Sequence, residues 1–130
     1  MGAIRISILS FILLALVQAT TARAAPSHEN QLHYFATCTG RLSALMEHQW
    51  MFDGAASEQT KRQRASMIDL VTAIAKPDEG RQVLHWRLMA KHAQSVLLTR
   101  ATFNDDPADA AWAEARAVSL TQECAGLLTS

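Results

Sequence analysis

The chain has two cysteines, Cys38 and Cys124, about 86 residues apart. A bond between them would close most of a chain long enough for one domain and not two. Both fall on apolar helical stripes. Around the first, Leu32, Phe35, Cys38, Leu42, Leu45 and Met46 recur by threes and fours, which marks one face of a helix. Around the second, Ala110, Ala113, Ala117, Leu120, Cys124 and Leu127 do the same. Two cysteines on buried stripes predict a disulfide between the first and last helices. Chain entropy assigns a loop of this size roughly 4–5 kcal/mol. Domains of this kind have only about 5–15 kcal/mol of net stability, so the staple would be a large fraction of it.

A structural disulfide implies an oxidising compartment, and the N-terminus agrees. Met1 to Ser7 carries one charge, Arg5. Ile8 to Val17 is almost purely apolar, and Ala22-Arg23-Ala24 follows with small residues at the −3 and −1 positions. This is the pattern of a cleaved secretory signal peptide. The reading is therefore a leader over residues 1–24, a domain over residues 25–130, and export to the periplasm or the extracellular space. The apolar run is roughly half of the ~20 residues a spanning helix needs, which argues against stable membrane insertion after cleavage. Without Arg5 and Arg23, ten basic residues face twelve acidic ones. Such a balance favours neither nucleic acid nor an anionic membrane surface. Lys61, Arg62 and Arg64 lack interleaved aromatics and read as a solvated helix face, with a phosphate-binding patch as the lesser alternative.

Four helices account for the mature chain. Ser27 caps the first, which runs to Trp50–Phe52, and Gly40 within it would let another helix approach closely. Asp53-Gly54 marks a turn. Ser57 then caps a second helix with the stripe Met67, Leu70, Val71 and Ile74, ended by Lys76-Pro77. Thr60 and Gln63 on its inner side suggest loose packing or a partner. The third helix runs from Asp78-Glu79 to Phe103. Its wide apolar arc of Val83, Trp86, Leu88, Met89, Ala90, Ala93, Val96, Leu97 and Phe103 predicts the most enclosed element. Asp106-Pro107 opens the fourth with a cap and an N1 proline. Short connections and no strand pattern predict an all-α, antiparallel up-down-up-down four-helix bundle, with the disulfide linking helices 1 and 4.

No G-x-S-x-G, H-E-x-x-H or P-loop is present, and Glu47-His48 are neighbours that point about 100° apart on a helix. The chain therefore reads as non-enzymatic, with no catalytic residue and no cofactor. Two binding readings remain. His85, Met89 and His92 are spaced i, i+4, i+7, and His48 lies between Met46 and Met51 on helix 1. Imidazole and thioether suit copper or haem iron. Packing takes precedence over that reading, because two or three ligands on one helix do not define a site. The second reading is a protein-interaction or accessory module whose unidentified protein partner docks on exposed aromatics. Trp112 departs from the stripe of helix 4, and Trp50 sits at the end of helix 1.

Overall fold

The computed structural model describes residues 25–128. The predicted leader over residues 1–24 lies outside the described residues. Among the described residues there are four helices and no strand: α1 His28–Phe52, α2 Gly54–Ile74, α3 Gly80–Phe103 and α4 Pro107–Gly126.

The helix ends follow from capping chemistry. Ser27 Oγ accepts from Asn30 N at the start of α1. Asp106 accepts from Ala108 N and Asp109 N, with Pro107 at the first helical position of α4. The junction of α1 and α2 differs from expectation. One residue, Asp53, ends α1 and caps α2 through Ala56 N, so Gly54 is already helical. Ser57 is not a cap. It is fully buried and donates to the Met46 carbonyl across the α1–α2 crossing. An aspartate acceptor at the junction was free to cap, and the serine was needed inside.

α1 packs against each of the other three helices, and α3 also packs against α4. Three apolar clusters fill the clefts around α1. Leu32 and Ala36 meet Val71 of α2 and Val83 of α3. Cys38 and Leu42 meet Met67 of α2 and Cys124 of α4. Ala44 meets Leu98 of α3 and Ala117 of α4. The most enclosed element is therefore α1 and not α3. Small residues explain it: Ala36, Thr39, Gly40, Ser43 and Ala44 are all buried and let neighbours close in on several sides.

The predicted disulfide is present. Cys38 and Cys124 are bonded, with Cα atoms 5.5 Å apart. The close approach expected at Gly40 is present too. A Cβ there would overlap the Arg87 carbonyl oxygen and come within 2.9 Å of Lys91 N. Most polar groups on inner faces are paired, Gln94 Oε1 being an exception. Thr60 donates to Gln49 Oε1 at 2.6 Å, so its polarity marks a satisfied helix crossing and not loose packing.

Candidate functional site

α3 places much of its apolar surface in solvent. Leu84, Leu88, Met89, Val96 and Phe103 are each at least 50% exposed. Four of them, Leu88, Met89, Val96 and Phe103, share one side at helical spacing, opposite the buried Val83, Gln94 and Leu98. The inner side meets α1 and α4, and among the described residues nothing covers the outer one. The end of α1 adds Trp50, Met51 and Phe52, all exposed. The two helix ends lie together, since His48 Nε2 is 3.2 Å from Thr102 Oγ1 and the Phe52 ring lies against the His48 ring at 4.9 Å.

Beside this end runs a groove of about 400 Å³ between α1, α3 and α4, lined by Leu45, His48, Leu98, Ala101, Ala117 and Val118 among others. His48 also borders a second groove between α1 and α3, with Met51 and Leu98. The alanines of α3 and α4 are too small to fill the gap beneath them. Sequence reasoning missed this groove. Its lining residues form no pattern on any single helix. Next to it, buried Gln94 donates to the Ala117 carbonyl at 3.0 Å, and its Oε1 has no partner among the described residues.

The histidines do not converge. His85, Met89 and His92 are all exposed on one side of α3, where the i, i+4, i+7 spacing puts them. His48 is tied to Thr102, roughly 25 Å beyond His85 along α3 at about 1.5 Å per residue. Among the described residues no three His, Cys, Asp or Glu side chains gather to hold a metal ion. Glu47 and His48 also part company: the carboxylate pairs with Lys91 Nζ at 2.6 Å.

Both candidate tryptophans are exposed. Trp50 is 58% and Trp112 56% accessible. Trp112 is held in place by Arg100, whose guanidinium carbon lies 5.1 Å from the ring centroid. Arg100 also pairs with Asp109, which Asn104 joins. The Arg100 hydrogen bond holds the Asp109 carboxyl below its ordinary value and raises the Arg100 guanidinium. At the opposite end, the backbone of Lys76 and then the His28 side chain hold the Glu79 carboxyl low. Burial raises the Tyr34 phenol, which donates to the Glu123 carbonyl beside the disulfide.

This arrangement offers apolar surface and a groove, while the charged groups just described are engaged with one another. No protein-family model, curated protein or solved structure matches the chain.

Proposed function

We propose that the chain is an exported, non-enzymatic bundle that works by binding a protein partner on the outer face of α3 and the adjoining end of α1. The single observation that carries this reading is the exposed row Leu88, Met89, Val96 and Phe103. Burying a side chain of that size is worth about 1.5–3 kcal/mol, and the folded chain leaves that gain unused. An aromatic and Met-rich patch is the composition of binding surfaces. Trp50 and Trp112 extend it.

Export is supported by the leader pattern and the disulfide; no helix among the described residues is long and apolar enough to cross a membrane. The up-down-up-down arrangement is supported by contacts that alternate in direction. His28 pairs with Glu79 and His48 with Thr102, so α1 and α3 run alike. Ser57 reaches Met46 while Arg64 reaches Ser43, and Tyr34 reaches Glu123, so α2 and α4 run against α1.

The test compares the protein with a Met89→Gln/Val96→Gln variant in capture from the exported fraction. The expected result is a partner retained by the protein and lost by the variant, with unchanged thermal stability. Equal recovery by both removes α3 as the docking face. A second reading has one observation in its favour: His85, Met89 and His92 share an exposed side of α3. Copper held there would be lost in a His85→Ala/His92→Ala variant, and copper titration of the two proteins decides it.

A further inference from the structure

At the edge of the apolar face, which it meets at Leu88, a cleft of about 150 Å³ opens between α2 and α3 above α1. Its floor is Gly40 and Ser43, and Leu84 and Leu88 form an apolar wall. Three cations line it, Arg64 from α2 and Arg87 and Lys91 from α3, with one carboxylate, Glu47. Lys91 is paired with Glu47. The two arginines have no carboxylate partner among the described residues. Arg64 spends its Nε on Ser43 Oγ at 2.7 Å, which fixes the guanidinium and leaves its two terminal nitrogens unengaged there. Arg87 is half-buried and its guanidinium makes no hydrogen bond among the described residues.

Two unpaired guanidiniums facing one cleft cost stability. Burial, and then the charge of Arg64, lower the Arg87 guanidinium from its ordinary value. The approach is forced by packing. Gly40 brings the backbone of α3 at Arg87 and Lys91 against α1, and the Ser43 hydroxyl anchors Arg64 from the other side. Lys91 and Glu47 cancel, so the lining keeps two positive charges. A phosphate group carries about −1.5 to −2 at neutral pH and matches that excess, where a carboxylate matches half of it. Guanidinium forks suit its oxygens. The cleft is smaller than the ~300–1,000 Å³ of drug-sized sites, which favours a small group.

We propose that Arg64 and Arg87 form a binding site for a phosphate group, free or as a phosphomonoester, in the cleft between α2 and α3. In the sequence Arg64 reads as part of a solvated cationic run with Lys61 and Arg62, with phosphate binding there as the lesser alternative; Arg87 has no part in that run. The site borders the docking face at Leu88, but its arginines play no part in that reading, so it survives the failure of that reading.

The test is calorimetric titration and thermal unfolding of the protein purified from cells expressing the full chain. The probes are inorganic phosphate, glycerol 3-phosphate and succinate, against sodium chloride at matched ionic strength and neutral pH. Phosphate should raise the melting temperature where chloride does not. Arg87→Gln should weaken phosphate binding at least about tenfold, the loss of one charge-assisted contact. In chloride the same variant should melt no lower than the parent, because a repulsion is relieved. Arg116→Gln, on exposed α4, should bind as the parent does. A response to both phosphates assigns a phosphomonoester, and a response to inorganic phosphate alone assigns the free anion. The proposal is overturned if phosphate is no better than chloride, if succinate does as well, or if an Arg64→Gln/Arg87→Gln variant still responds.

Discussion

α1 and α3 are almost equal in length, 25 and 24 residues, and they run side by side. By side-chain size α3 should be the inner helix. It carries Trp86, Leu88, Met89, Val96, Leu97 and Phe103, where α1 carries alanines, threonine, serine and glycine along its middle. The burial is reversed. Nine residues of α1 are buried and three of α3, so enclosure follows the ability to be approached and not apolar content. A helix becomes central when small residues on several sides let neighbours come close. A helix with large apolar residues around most of its circumference can bury only the arc its neighbours reach. The rest is surplus, and on α3 that surplus is the candidate docking face.

The comparison breaks first at the covalent tie of α1. Replacing both Cys38 and Cys124 by Ala should lower unfolding free energy by roughly 4–5 kcal/mol from chain entropy, with a cavity term added. Chemical denaturation, with reduction of the parent as a control, measures it. A loss below about 1 kcal/mol would mean that packing alone holds α1 between its neighbours. Next comes Gly40→Ala. Alanine gains about 1 kcal/mol of helix propensity, yet its Cβ would overlap the Arg87 carbonyl. Overpacking against backbone should outweigh the gain and cost about 1–3 kcal/mol net. Net stabilisation would show that α3 slides away freely, and the central place of α1 would then not depend on close approach.

Much of this architecture could be read in advance. Ser27, Asp106 and Pro107 mark helix starts because capping is local chemistry. The Cys38–Cys124 bond and the role of Gly40 follow from stripes and spacing. What stayed hidden depends on neighbours. Ser57 has the right residue type for a cap, and only the α1–α2 crossing shows that its hydroxyl is used inside. The arc of α3 has the periodicity of a core, and only the placement of α1 decides which part is covered. The His85, Met89 and His92 row was legible as a row. That His48 stands a long way from it was not, because sequence does not give the register between helices. Arg64 and Arg87 meet for the same unreadable reason.

The outer face of α3 should be nearly silent in stability. Met89→Gln/Val96→Gln changes two exposed side chains, and surface substitutions usually stay within about 0.5 kcal/mol. The same chemistry on α1 gives the contrast. Leu42→Ala, fully buried, should cost about 2–5 kcal/mol. Parallel denaturation curves check both. A large loss from the α3 pair would mean that its outer face is covered by a second copy of the chain, and sedimentation at several concentrations would then show concentration-dependent mass.

The smallest effect concerns how α3 is held at its ends. Where α1 is fixed by burial, α3 is tied by exposed charges. Glu79, just ahead of it, pairs with His28, and Arg100 in its last turn pairs with Asp109 of α4. Both carboxyls sit below their ordinary values of 4.5 and 3.8. A carboxyl with a lowered folded pKa contributes stability that is present above its unfolded pKa and lost as the pH falls through the folded one. Stability from the Glu79 contacts, the Lys76 backbone first and His28 second, and from the Arg100–Asp109 pair should therefore hold from neutral pH down to about 5 and decline below it. A Glu79→Gln/Asp109→Asn variant should show a shallower acid decline, while its melting temperature at neutral pH falls by only a degree or two, as exposed pairs contribute little. High salt should narrow the difference between the two proteins. An acid decline of equal depth in the variant would place the titrating groups elsewhere, and the ends of α3 would then be held by packing, as α1 is.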